Sequence, residues 1–149
     1  MSDLVPVPLK LLLVAAVALI DTNRRVLIAQ RPEGKALAGL WEFPGGKLES
    51  GETPEATLIR ELKEELAITV KEEWLKPFTF ASHTYHDFHL LMPLYLCQKW
   101  KGTITAQEHK SLEWVSVNSL HNYPLPPADI PLIPFLIDAL GDQKIPDMF

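Results

Sequence analysis

The chain has 149 residues, of which 47% are hydrophobic and 22% charged. That is enough apolar material for one domain with a real core, spanning residues 1–149, and too much for a disordered chain. A formal net charge of -5 excludes a protein that coats nucleic acid or an anionic membrane through a global positive field.

The first pattern in the chain is an apolar run at 11–20. It is shorter than the roughly 20 apolar residues that a membrane-spanning helix needs. Lys10 ahead of it gives a likeness to a signal-peptide core, but Asp3 stands in the would-be basic region and no small-x-small cleavage site follows. The polar stretch 21–25 and the apolar stretch 26–30 make a buried β-hairpin the expectation. Residues 31–41 read as loop, and 42–46 as a short strand entering the turn at Gly45 and Gly46.

A helix is expected over residues 54–66. Thr53 is a good N-cap, and Pro54 falls at the first helical position, where its missing N–H costs nothing. Leu58, Ile59, Leu62 and Leu66 make one apolar stripe. On another face stand Glu61, Glu64 and Glu65, at i, i+3 and i+4. Like charges so spaced repel by about 0.2–0.5 kcal/mol per pair in an isolated helix. Three acids there suit a hard cation such as Mg²⁺, which prefers carboxylate oxygens. Arg60 lies beside them and can grip a carboxylate through its planar fork. The plainer alternative is a solvated acidic face.

Farther on, residues 74–83 and 88–99 read as strands with a turn at 84–87. Residues 107–112 read as a polar loop, 113–117 as a strand, 123–134 as a proline-rich loop and 132–140 as a second helix. Cys97 sits in an apolar run and is expected to be inert core. A single cysteine excludes an internal disulfide and suits a reducing cytoplasm. His83, His86, His89, His109 and His121 show no metal-ligand spacing tied to an acid, and read as structural or solvated. Strands mixed with two helices point to an α/β sandwich.

The stretch 46–68, GKLESGETPEATLIRELKEELAI, resembles the signature of the Nudix hydrolases. Gly46, Glu52, Arg60, Glu61, Leu62, Glu64, Glu65 and Ile68 fit it. Ala67 departs from it, standing where the family usually has a glycine that eases a positive φ at the helix end. Residues 13–140 are similar to the MutT branch, which removes oxidised guanine nucleotides, and Trp41 to Lys47 (WEFPGGK) closely resembles that branch's entry into the motif.

The resemblance implies an α/β/α sandwich with a mixed sheet between helices and a loop–helix–loop motif. It implies a Mg²⁺ ion, with Mn²⁺ as a possible substitute, held by Glu61, Glu64, Glu65, the carbonyl of Gly45 and a loop acid, Glu108. It implies hydrolysis of a nucleoside triphosphate at the β-phosphorus to a monophosphate and pyrophosphate, with Glu61 or Glu64 as base and Arg60 orienting a glutamate. Arg31, Lys47, Tyr85 and Asp129 are the implied substrate contacts.

Each of these has a plainer alternative. Arg31 is otherwise a strand-end charge, Lys47 a solvated lysine, Tyr85 core, Glu108 an exposed loop acid and Asp129 a helix N-cap. Trp41 either walls the pocket or packs. Phe88 stands where a MutT-like enzyme can carry an arginine near the nucleotide, which weakens guanine preference.

Three functions stay open. They are 8-oxo-dGTP sanitation, the same chemistry on CTP, dCTP, a dinucleoside polyphosphate, ADP-ribose or capped RNA, and a non-catalytic recognition module. No membrane and no stable nucleic-acid complex are expected, and the sequence does not fix the oligomeric state.

Overall fold

Apolar residues on both faces of the first strand make it the centre of the molecule. In the computed structural model, which describes residues 9–141, the strand β1 (Lys10–Leu19) is bounded by helices on both sides. Ala15, Val17 and Leu19 point to one core, and Ala16 and Ala18 to the other. This is the period-2 alternation of a strand buried on both faces.

The other strands are β2 (Arg25–Gln30), β3 (Trp41–Glu42), β4 (Gly45–Lys47), β5 (Lys76–Thr84), β6 (Phe88–Cys97) and β7 (Ser111–Ser116). They form a four-stranded sheet in the order β4-β1-β6-β5 and a three-stranded sheet in the order β3-β2-β7. The first sheet is mixed, since β1 runs parallel to β6 while β4 and β5 are antiparallel to their neighbours.

The helix α1 (Pro54–Leu66) covers one face with Leu58, Leu62 and Leu66, all fully buried. Each such side chain contributes about 1.5–3 kcal/mol of burial, an upper estimate because the unfolded chain is already partly compact. The helix starts as expected, with the Thr53 hydroxyl accepting from the Ala56 N–H at 3.1 Å. The second helix, α2 (Ile133–Leu140), closes the other core through Ile133 and Leu136. No helix among the described residues is long and apolar enough to cross a membrane.

Two expectations need correction. The polar turn after β1 is present, with the Asp21 N–H donating to the Arg25 carbonyl at 3.0 Å. Only Ile20 and Val26 then form a bridge, and β1 and β2 diverge into different sheets. Both strands have cores on both sides, so neither needs the other as its main partner. The short strand expected at 42–46 is two strands in two sheets, separated at Phe43 and Pro44. That break matters, because it carries the chain from beside β2 to beside β1 and turns both glycines toward α1.

Candidate metal and nucleotide site

Gly45 and Gly46 are each required by a different neighbour. A Cβ on Gly45 would lie 2.0 Å from the Ala15 carbonyl oxygen, so β4 could not pair this closely with β1. A Cβ on Gly46 would lie 2.5 Å from the Glu61 carboxyl carbon. The second glycine therefore makes room for an acid of α1 to lie against the strand. The Gly45 N–H donates to Glu65 Oε1 at 3.2 Å. Helix and strand are thus joined through the acids themselves.

Arg60 organises the open side. It bonds both oxygens of Glu52, through Nε at 2.8 Å and Nη2 at 2.9 Å, and reaches Glu61 Oε1 through Nη1 at 2.6 Å. Glu64 Oε2 is 3.6 Å away from Nη1. The Arg60 hydrogen bonds hold the Glu52 carboxyl down at about 2, helped by the Glu49 N–H.

The inner acids behave in the opposite way. Burial pushes Glu65 up to about 9, and the charges of Glu61, Glu42 and Glu108 add to the rise. Glu61 is raised by burial and by Glu64 and Glu108, against the pull of Arg60. Glu108 is exposed on its loop, yet its charge is felt by both inner acids. That loop is fixed to the end of α1 by the Gln107 N–H on the Glu65 carbonyl and the Thr105 N–H on the Leu66 carbonyl, at 3.0 and 2.9 Å. Of the expected ligands, Gly45 bonds Glu65, Glu61 feels the charges of Glu64 and Glu108, and Glu65 feels those of Glu61 and Glu108. Burial and neighbouring charge together disfavour ionised Glu61 and Glu65, and a nearby positive charge would offset both effects.

A histidine joins the cluster. Glu42, Glu65 and His109 offer ligand atoms that all lie within 4.8 Å of one another. Among the five histidines read from sequence as structural or solvated, His109 is the one that lies against two acids. His89 does bond Ser82 and Thr84, His83 packs on Tyr85 and His86 meets exposed Asp87. Glu42 is the other residue that sequence reasoning did not single out, although it lies inside the WEFPGGK stretch.

The expected substrate contacts are placed unevenly. Asp129 is buried beside Glu42, and burial first, then the Glu42 charge, raises its carboxyl to about 7. It precedes the 3-10 turn Ile130–Leu132 but makes no side-chain capping bond, so the N-cap alternative does not account for it. Arg31 is half-buried, bonding Glu42 Oε1 at 2.9 Å and the Ala36 carbonyl at 2.7 Å. Tyr85 stacks on Phe88, and its hydroxyl accepts from the Ala128 N–H at 3.3 Å, bracing the loop that carries Asp129. Lys47 is exposed, and Trp41 meets Tyr123 edge-on. An apolar groove of about 360 Å³, lined by Leu13, Leu48, Pro54, Phe80, Leu91 and Pro93, offers no charged group to a phosphate.

Fold and site together define a small α/β protein that gathers carboxylates from one helix against a Gly-Gly strand, with a buried acid and an arginine beside them. The chain belongs to the Nudix hydrolase family, in its MutT-like branch, whose members act on phosphoanhydride bonds. A family model described as NUDIX domain matches residues 15–134. Over 126 residues the chain is 41% identical to the CTP pyrophosphohydrolase of Escherichia coli (strain K12), covering 78% of this chain and 84% of that one. It is 34% identical to the 8-oxo-dGTP diphosphatase of the same organism, covering 84% and 95%. The solution structure of the E. coli ORF135 protein superposes with a TM-score of 0.77 at 34% identity, covering 93% and 96%. A chain from an analysis of MutT of Aliivibrio salmonicida and Vibrio cholerae gives 0.73 at 31%, covering 87% and 99%.

Proposed function

We propose that this nucleotide hydrolase is a Mg²⁺-dependent nucleoside triphosphate pyrophosphohydrolase that cleaves 8-oxo-dGTP or a related triphosphate to the monophosphate and pyrophosphate. In this reading it sanitises the cytoplasmic nucleotide pool and so limits mutation. The observation that carries it is the buried Glu65 carboxyl group, fixed to the Gly45 N–H and within the charge fields of Glu61, Glu42 and Glu108.

The cation, Mg²⁺ or Mn²⁺, would be held by Glu61, Glu64, Glu65, Glu108 and the Gly45 carbonyl. When bound, it supplies charge neutralisation on the phosphate oxygens. Arg60 is committed to Glu52 and Glu61, so it orients acids and leaves the phosphates to other groups. Glu61 and Glu64 flank that arginine, and one of them takes the proton of the water attacking the β-phosphorus. Arg31 and Lys47 supply positive charge toward the triphosphate. Asp129, when ionised, only accepts hydrogen bonds, which suits the N1–H and N2–H₂ of a guanine. Tyr85 supports that loop and borders the base.

A second reading, CTP or dCTP hydrolysis, has its own support. Phe88 packs on Tyr85 where an arginine would favour guanine. The relative at 41% identity is named for CTP. Asp129 can equally accept from the N4–H₂ of cytosine.

The test replaces Glu61 and Glu64 by Gln separately, measuring turnover and Mn²⁺ binding. Glu64→Gln abolishes turnover in the hydrolase reading and changes nothing in a recognition module. The variant that loses kcat while keeping Mn²⁺ affinity identifies the base. EDTA should remove activity and leave the circular dichroism spectrum in place, because the two cores are apolar.

A further inference from the structure

The proposed chemistry leaves one buried polar side chain unused. His109 lies on the loop before β7 with its side chain 4% exposed. Its Nδ1 is buried without a hydrogen-bond partner among the described residues. Such an orphaned group costs free energy that an apolar side chain of similar shape would not. A residue serving only to fill this space has no reason to carry that cost.

The other ring nitrogen accounts for it. His109 Nε2 lies 2.9 Å from Glu42 Oε2 and 3.5 Å from Glu65 Oε2. The remaining oxygens of these acids are held as well. Glu42 Oε1 accepts from Arg31 Nη1 at 2.9 Å, and Glu65 Oε1 accepts from the Gly45 N–H at 3.2 Å. Glu42 is therefore hydrogen-bonded at both oxygens, whereas Glu65 is bonded at one and has the His109 ring 3.5 Å from the other.

The backbone fixes the ring on both sides. The Gln107 N–H donates to the Glu65 carbonyl, and the Lys110 N–H to the Gln30 carbonyl, each at 3.0 Å. The histidine loop is tied to the last turn of α1 and to the end of β2. A carboxylate buried this deeply is aimed by its hydrogen bonds, and partners of metal-binding acids govern how well those acids bind.

We propose that His109 is a positioning residue: its Nε2–H holds Glu42, which Arg31 grips at the other oxygen, and its ring edge, 3.5 Å from Glu65 Oε2, limits how that carboxylate can turn toward a divalent cation. The proposal rests on the metal-dependent hydrolase reading. It adds a residue outside the signature helix to the metal centre, and it connects the ion to the arginine expected to meet substrate. A substrate that engages Arg31 would then bear on Glu65 through two carboxylates and one imidazole.

The experiment measures Mn²⁺ affinity of the full chain by electron paramagnetic resonance for wild type, His109→Leu, His109→Asn and His109→Gln. The Gln amide nitrogen reaches the place of Nε2, whereas the Asn amide stops near Nδ1. Leu and Asn should weaken Mn²⁺ binding about tenfold, and Gln should stay within about threefold of wild type. Should the Leu variant not fold, the Asn and Gln pair gives the same comparison. Unchanged affinity in the folded Leu or Asn variant overturns the proposal, as does an equal loss in Gln. Nitrogen hyperfine coupling of His109 on the bound Mn²⁺ also overturns it, by making the ring a ligand. A wild-type chain that binds no Mn²⁺ and hydrolyses no triphosphate refutes the hydrolase reading itself.

Discussion

Arg60 holds Glu52 by two hydrogen bonds, Nε to Oε2 at 2.8 Å and Nη2 to Oε1 at 2.9 Å, while its third nitrogen holds Glu61. The signature arginine is therefore engaged within its own motif, with a further bond from Nη2 to the Lys47 carbonyl at 3.3 Å. Glu52 is fixed further by the Glu49 N–H at 2.8 Å and the Thr57 hydroxyl at 2.9 Å. A planar fork on a carboxylate fixes orientation as well as distance. This pair sets where Glu61 stands.

Glu52→Gln should lower kcat by about tenfold to a hundredfold through loss of Glu61 alignment. It should also change the acid stability of the fold. The Glu52 carboxyl is depressed to about 2, against an ordinary value of 4.5. Its contribution is present above the unfolded value and is lost as pH falls through the folded one. Melting curves should show wild type more stable at pH 7, with the gap to Glu52→Gln closing between about pH 4.5 and 2. A pH-independent gap would remove the carboxylate from the account.

Ala67 ends α1 at φ 59°, ψ 32°, a left-handed conformation that L-residues other than Asn and Asp seldom adopt. The Ala67 N–H still reaches the Lys63 carbonyl at 3.2 Å, and the Ile68 N–H the Leu62 carbonyl at 3.4 Å. The departure from the family pattern therefore costs strain and leaves the turn intact. Ala67→Gly should stabilise the fold by about 1 kcal/mol, or about 2–4 °C in Tm, with unchanged kcat. A destabilised Ala67→Gly variant would contradict this reading.

The sequence made α1 legible to its ends, because Thr53, Pro54 and the apolar stripe are local signals. Its strands were legible as strands but not as partners. The runs that became β1 and β2 are apolar on both faces, so alternation could not show that they join different sheets. His109 was illegible for another reason. Its partner Glu42 is 67 positions away, and no spacing rule connects them. Burial of Asp129 was equally hidden, since only the folded loop shows that it caps nothing and faces Glu42.

Asp129 gives a prediction with the opposite sign to Glu52. Burial raises its carboxyl to about 7. Ionising it in the folded state is costly, so the penalty grows as pH rises from the ordinary value of 3.8 and is fully developed above the folded one. Asp129→Asn should raise Tm at pH 8, with the gain shrinking toward pH 4. The same variant should lower kcat/KM on the preferred base about 5- to 150-fold, the range of one lost bidentate contact. A variant stabilised at high pH with undiminished kcat/KM would leave Asp129 buried but outside recognition.

The most direct measurement is pyrophosphate release with Mg²⁺, comparing kcat/KM for 8-oxo-dGTP, dGTP, CTP and dCTP. The account predicts preference for 8-oxo-dGTP over dGTP by about a hundredfold, or about 2.7 kcal/mol of transition-state discrimination. Comparable rates on all four, or preference for cytosine, would contradict the oxidised-guanine assignment and leave the hydrolase chemistry standing. Release from none of them would contradict the proposed triphosphate activity.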